Sequence, residues 1–330
     1  MGTFYLTEPY CFVRKESERL KIFKDRKLVK EVKVNEYIRF FIHESSTLTT
    51  DALLLLAEKE KEVIYFSGNQ FAARLVGKEN KNVRLRIAQV EAHLSDQKSL
   101  EIARYFVLAK LKNTRVSLQR FARRKKIDLD STILFLKQVM EKSLLAENLD
   151  QLRGLEGVAA KEYFRVFPGL LSRKEFSFLG RSKRPAKDPV NALLNYGYVL
   201  LKAEITSALF SAGLDPYIGF LHRERYGRES LALDMMEEFR AILVDNLVIK
   251  MINQGIIKQK DFDQNYEEPR LTDQGRRRFL LEFDQRRKDE VFHELLKQKL
   301  SYREIIQKQA LLLAKYLKNE MDDYYPFLTK

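Results

Sequence analysis

The sequence predicts an α+β fold, with a small β-rich N-terminal domain over residues 1–90 and a larger all-α domain over residues 91–330. Two changes of pattern and one size argument lead there. Up to about residue 90, β-branched and aromatic residues alternate with charges at close to period two, in short segments broken by turn residues. From Leu94 onward the apolar residues recur at i, i+3, i+4, the period of a helix with one buried face. A chain of 330 residues, 45% hydrophobic with only 13 Gly and 7 Pro, can bury two cores and is not disordered.

In the first part, residues 4–6, 11–13, 20–23, 28–34 and 63–66 read as strands, and 50–60 as a helix. In the second, 94–112, 118–121, 131–147, 152–167, 189–212, 230–254 and 273–299 read as helices. Ser230 suits the N-cap of the helix it opens, and Gly255 suits its C-terminal stop. Residues 169–189, rich in Arg, Lys, Ser and Pro, read as a basic mobile loop. No internal repeat is visible.

Composition removes several function classes. The single cysteine, Cys11, excludes an intramolecular disulfide, a zinc ribbon and a CxxC redox pair, and a cytoplasmic location is expected. The N-terminus carries no secretory pattern, and the longest aliphatic run, residues 52–57, is far too short for a membrane span. HExxH, P-loop, GxGxxG and GxSxG motifs are absent.

The net charge of +14 is distributed unevenly. Between Ile102 and Ile127 there is no acid but nine bases, among them Lys110 and the run Arg123, Arg124, Lys125 and Lys126. A second cluster contains Arg173, Lys174, Arg181, Lys183, Arg184 and Lys187. Such clusters favour polyanions, because each phosphate neutralised releases condensed counterions; a solvated helix face is the alternative for the first.

Within this basic chain a few acids fall on apolar helical faces. Glu156 sits in the middle of the face formed by Leu152, Ala159, Ala160, Tyr163 and Phe167. A carboxylate there must be protonated, hydrogen-bonded, ion-paired or bound to a metal, since desolvating it alone costs several kcal/mol. On 230–254, Glu237 falls inside the stripe of Leu233, Met236, Val244, Leu247, Val248 and Met251. Asp234 lies at its edge, while Glu238 and Asp245 are expected on the far side. Asp234, three residues before Glu237, is placed to support the site or to serve as an alternative ligand. Upstream, a turn-rich approach leads to His222, flanked by Arg223, Arg225 and Arg228. Two carboxylates and a neutral imidazole suit Mg²⁺ or Mn²⁺, with the arginines left to hold phosphates. His43, His93 and His293 have no acid at metal-ligand spacing and read as structural or surface residues.

In this order, LRGLEGVAAKEYF, DPVNALLNYGYVLL, GLDPYIGFLH and GRESLALDMMEEFR resemble the CRISPR-associated integrase family of spacer acquisition, the Cas1 proteins. The resemblance runs from about residue 90 to the C-terminus, and the β-rich leader suits the family's N-terminal domain. It implies a metal-dependent DNA endonuclease and integrase with one Mg²⁺ or Mn²⁺ held by Glu156, His222 and Glu237. The implied reaction is transesterification, in which the 3′-hydroxyl of a short DNA duplex (the prespacer) attacks a phosphodiester at the edge of a CRISPR repeat. The family further implies a homodimer joined through the β domains and assembly with a small partner, Cas2, on double-stranded DNA. Arg123 to Lys126, Arg181 and Arg184, with Arg223, Arg225 and Arg228, would then be DNA contacts.

The rival reading is a non-catalytic DNA-binding protein. Its support is VIKMINQGII followed by RLTDQGRRRFLL, which suggests the turn, strand and last helix of a winged helix-turn-helix. That module leaves the inward acids Glu156 and Glu237 unexplained.

Overall fold

The structure, a computed structural model, describes residues 2–67, 70–75, 82–183, 185–263 and 268–330. The chain forms two compact units, Met1–Lys81 and Asn82–Lys330. The helix Val83–Leu94 opens the second unit and runs across residue 90, where the sequence places the boundary. Among the described residues, no helix is long and apolar enough to cross a membrane.

The first unit contains β1 (Gly2–Leu6), β2 (Phe12–Glu16), β3 (Arg19–Lys24), β4 (Lys27–Lys33), β5 (Tyr37–His43), β6 (Thr47–Leu48), α1 (Thr50–Glu58), β7 (Glu62–Ser67) and β8 (Gln70–Leu75). They form two sheets of order β1-β5-β7-β8 and β4-β3-β2-β6. β5 is parallel to both its neighbours, with Phe40 opposite Phe4 on β1 and Val63 on β7. In the second sheet Asp25 and Arg26, both at positive φ, close the β3–β4 hairpin, where a two-residue turn must match the strand twist. Val13, Leu20, Ile22 and Val32 from one sheet share a core with Phe4, Phe40, Ile42 and Val63 from the other and with Leu55 and Leu56 of α1. The period-two reading passes over β5 for a physical reason. Its residues Phe40, Phe41 and Ile42 are all buried, and a strand covered on both faces shows no alternation.

The second unit is built from α2 (Val83–Leu94), α3 (Asp96–Lys125), α4 (Asp130–Leu144), α5 (Leu149–Val166), α6 (Pro189–Ala212), α7 (Ser230–Met236), α8 (Asn246–Asn253), α9 (Asp273–Lys288) and α10 (Tyr302–Leu317). Two hairpins accompany them, β9 (Phe262–Asp263) with β10 (Arg270–Leu271), and β11 (Glu290–His293) with β12 (Gln298–Ser301). The sequence divides α3 at the polar residues Asn113 and Thr114, yet the helix is continuous. Asn113 is buried there because its amide donates to the carbonyls of Glu238 and Phe327. The last helical reading, 273–299, stops at Lys288: Val291, Phe292, Leu295 and Leu296 keep a helical spacing, yet Glu290–His293 and Gln298–Ser301 pair as the β11–β12 hairpin. α10 lies beyond the helices read from the sequence, although Ser301 and Glu304 form a capping box at its start.

Two further expectations change. Among the described residues of 169–188 there is no long element, but two points pin them: Phe178 packs 5.0 Å from Phe167, and Arg181 donates to Asn191 and Asn195 of α6. Residues 230–254 are not one helix. α7 ends at Met236, tight i to i+3 bonds close Glu237, Glu238 and Phe239, and a π-helical turn at Arg240–Asp245 leads into α8. Most of residues 230–249 is buried, and Glu238 and Asp245, expected outside, are buried with it. α8 buries Leu247, Val248, Ile249, Met251 and Ile252 and leaves Lys250 exposed.

Candidate functional site

The site lies where α3, α5 and the α7–π junction converge, each contributing one charged side chain. Lys110 stands on the buried stripe of α3, Glu156 in the middle of α5, and Glu237 at the end of α7. The Lys110 ammonium contacts a carboxylate oxygen of Glu156 and lies 2.7 Å from Oε2 of Glu237. Arg240, one turn beyond Glu237, reaches Oε1 of the same carboxylate at 3.2 Å. The guanidinium of Arg240 also lies over the ring of Tyr198, 4.9 Å from its centroid. Glu237 is 3% exposed and Glu156 25% exposed, so the pair runs from interior to rim.

The electrostatics follow from this convergence. Burial by itself pushes the Glu237 carboxyl up, but the charges of Arg240 and Lys110 outweigh it and hold the group down at about 2. Burial disfavours the Lys110 ammonium, and the charges of Glu237 and Glu156 more than restore it. Lys183, close by, is pushed down by burial and then by Arg240 and Arg181.

His222 is presented by a separate device. The carboxylate of Asp234, wholly buried on α7, accepts the backbone N–H groups of Phe220 (2.6 Å), Leu221 (3.0 Å) and His222 (3.0 Å). Its Oδ1 also lies 2.6 Å from the imidazole Nδ1. A carboxylate there fixes the Nδ1–H tautomer and leaves Nε2 with its lone pair free for a metal or a proton. Asp234 thereby holds the loop and His222 together. Gly219 permits the wrap, since a Cβ there would sit 2.7 Å from the Ser230 backbone and 2.8 Å from Asp234 Oδ2. From the other side α2 holds the loop. Gln89 donates to the carbonyls of Asp215 (2.8 Å) and Ile218 (2.9 Å), and His93 Nδ1 lies 2.6 Å from the carbonyl of Gly219.

The other buried acids are satisfied internally. Glu238 accepts from Phe327 N–H at 2.7 Å, from Gln309 at 3.1 Å and from the Tyr324 hydroxyl. Burial nevertheless raises it to about 7. Asp245 accepts from the Tyr198 hydroxyl at 2.6 Å, and burial raises it to about 6. Of the four acids in 230–254, Glu237 alone faces Lys110 and Glu156.

Among the described residues, no three His, Cys, Asp or Glu side chains stand together as a ready metal cage. The two glutamates meet at Lys110 instead. The donors nevertheless suit a hard divalent ion: two carboxylates on one cation and an imidazole with its second nitrogen fixed. Among the described residues, no hydrogen-bond donor other than that ammonium reaches the buried Oε2 of Glu237.

The basic residues named from sequence divide by environment. Arg123, Arg124 and Lys126 are exposed at the end of α3, with Arg124 5.7 Å from the Phe121 ring. Lys125 is spent within the fold, donating to the Leu170 carbonyl at 2.5 Å and to Ser172 at 2.7 Å. Arg181 is inward, and Arg184 lies outside the described residues. Arg223 is 69% exposed and paired with Asp150 at 2.6 Å, whereas Arg225 is exposed and Arg228 half-buried. Sequence reasoning missed Lys110 and Arg240 as site residues. Both signals were present: each is a cation on an apolar stripe, Lys110 four residues after Phe106 and Arg240 three after Glu237.

Comparison with known proteins adds a family. Residues 4–285 match the family described as CRISPR associated protein Cas1. CRISPR-associated endonuclease Cas1 3 of Thermus thermophilus is 37% identical over 336 residues, covering 100% of this chain and 98% of that protein. A CRISPR-associated exonuclease Cas4/endonuclease Cas1 fusion of Geobacter sulfurreducens is 36% identical over 99% of this chain, which spans only 60% of the fusion. Among solved structures, a casposase bound to its integration product superposes with a TM-score of 0.88 at 27% identity, covering 100% of this chain and 95% of that one. A Cas6-RT-Cas1–Cas2 complex gives 0.80 at 26% identity, over 99% of this chain and 36% of that one.

Proposed function

Because the chain belongs to the Cas1 family, we propose that it is a metal-dependent DNA endonuclease and integrase of CRISPR adaptation, acting in the prokaryotic cytoplasm. The reading rests on one observation above all. Glu156 and Glu237, from separate helices, meet on a single cation, in a segment where every other buried acid has its own partners.

Glu156, Glu237 and Nε2 of His222 would hold one Mg²⁺ or Mn²⁺, which when bound polarises a phosphoryl oxygen and offsets the charge of phosphoryl transfer. The protein's own residues do the rest. Asp234 keeps the His222 ring oriented through its Nδ1 proton. Arg240 keeps Glu237 ionised and fixed. Arg240 would also add positive potential at the site. In the reaction a DNA 3′-oxygen forms a new P–O bond as the bond to the leaving 3′-oxygen breaks. The attacking hydroxyl gives up its proton and the leaving oxygen takes one up, so no protein nucleophile is needed.

The partners proposed are double-stranded DNA, a second copy of the chain joined through the β-rich unit, and Cas2. For DNA and Cas2 the support is the integration product held by the casposase and the Cas1–Cas2 assembly among the structural relatives. The test is a gel assay with branched DNA and a repeat-bearing supercoiled plasmid in Mn²⁺, Mg²⁺ or EDTA, beside Glu156→Ala. Metal-dependent nicking or strand transfer that disappears in the variant is expected. DNA retarded but uncut in every lane, with Cas2 supplied, overturns the reading in favour of a binding protein.

A further inference from the structure

The Lys110 ammonium occupies the point where the carboxylates of Glu156 and Glu237 meet. We infer that Lys110 is a resident counter-cation, holding the two carboxylates together in the metal-free protein and displaced from them when the divalent ion binds. The inference rests on the metal reading above and adds to it a competition between a side chain and the metal.

Three observations carry it. First, the ammonium and a divalent ion would claim the same oxygens, and two cations cannot share that contact in a desolvated site without strong repulsion. Second, the two cations on Glu237 are held differently. Arg240 is fixed by its contact with Oε1 at 3.2 Å and by lying over Tyr198, so it can stay and keep Glu237 ionised after the lysine leaves. Lys110 ends a flexible four-carbon stem with the two carboxylates at its tip. Third, that stem borders a cavity lined also by Thr114, Tyr163, Tyr198, Arg240 and Asp245, which gives the ammonium room to withdraw. Without the lysine, the two carboxylates would face one another with no cation between them before any metal arrived.

The experiment is calorimetric titration of the full-length protein with MnCl₂ at pH 8, using wild type, Lys110→Met, Lys110→Arg and Glu237→Ala. Thermal melts in EDTA and in Mn²⁺ accompany it. Lys110→Met should bind Mn²⁺ at least tenfold more tightly than wild type, melt lower in EDTA and gain more from Mn²⁺. Lys110→Arg, whose guanidinium grips both carboxylates more firmly, should bind at least tenfold more weakly. If Lys110→Met does not fold in EDTA, the Lys110→Arg ratio decides. Equal affinities for wild type and both Lys110 variants, with binding lost in Glu237→Ala, overturn the displacement and leave the metal reading standing. Weaker binding by Lys110→Met also overturns it, making the lysine an organiser of the ligands. No Mn²⁺ binding by wild type or Lys110→Met removes both readings together.

Discussion

Asp234 grips His222 twice, accepting its backbone N–H at 3.0 Å and facing its ring Nδ1 at 2.6 Å with the same oxygen. One buried carboxylate therefore sets both where the loop runs and which imidazole nitrogen is left free. Asp234→Asn keeps the size but presents an NH₂ to a ring of donors. Strand-transfer rate should fall about 10- to 100-fold, the usual cost of losing a partner behind a ligating histidine. An Asp234→Asn enzyme as fast as wild type, across the pH range, would mean that His222 needs no such orientation.

Glu237 is more than a ligand, because two largely buried cations depend on it. Glu237→Ala should abolish cleavage and joining, and it should also lower stability by about 3–5 kcal/mol, since Lys110 and Arg240 lose the charge between them. Glu156→Ala, at the rim, should abolish activity with a smaller loss. Urea unfolding of the two variants side by side gives the comparison, and equal stability would show that the Glu237 ion pairs contribute nothing net.

These two acids show where the sequence is legible and where it stops. Glu156 can be placed on the inner face of its helix because α5 is regular and covered on one side, with Leu152, Ala159, Tyr163 and Phe167 buried. Glu237 also stands out from a helical stripe, but the physical basis for singling it out is only partly helical. Around these acids, residues 234–245 are buried on nearly every side, so no wheel can separate Glu237 from Glu238 and Asp245. What separates them is the change from α to π geometry after Met236 and the partners supplied by Tyr198, Gln309 and Tyr324. Those partners lie far away in sequence, and a single chain read by period cannot supply them. β5 escapes the period-two reading for the related reason that a strand buried on both faces loses its alternation.

Gly219 makes a steric prediction. Its hydrogen occupies the gap between Ser230 and Asp234 Oδ2, so Gly219→Ala must push the loop off the carboxylate that holds it. A loss of roughly 2 kcal/mol or more in stability is expected, together with a drop in activity like that of Asp234→Asn. A fully active, fully stable Gly219→Ala protein would show that the loop can relax away from Asp234 at no cost.

Glu238 predicts a pH dependence with a definite sign. Its folded value of about 7 lies above that of an unfolded glutamate, so the native state binds the extra proton. The contribution is fully present below about pH 4.5 and is lost as the pH rises through 7, on the order of 3 kcal/mol in all. Glu238→Gln, which cannot ionise, should lose less stability than wild type over that interval. Parallel curves for the two proteins between about pH 4.5 and about pH 8 would place the proton elsewhere.

The end of α3 predicts which charges meet DNA. Arg123, Arg124 and Lys126 are exposed, whereas Lys125 is committed to Leu170 and Ser172. Replacing the three exposed residues with Gln should weaken DNA binding and reduce the slope of log K against log salt by up to about 0.9 for each phosphate no longer neutralised. Lys125→Gln should leave that slope unchanged and instead loosen residues 170–172, seen as faster proteolysis there. If the triple variant keeps the wild-type slope, these residues form a solvated helix end, and the polyanion contact must be sought at Arg225 and Arg228.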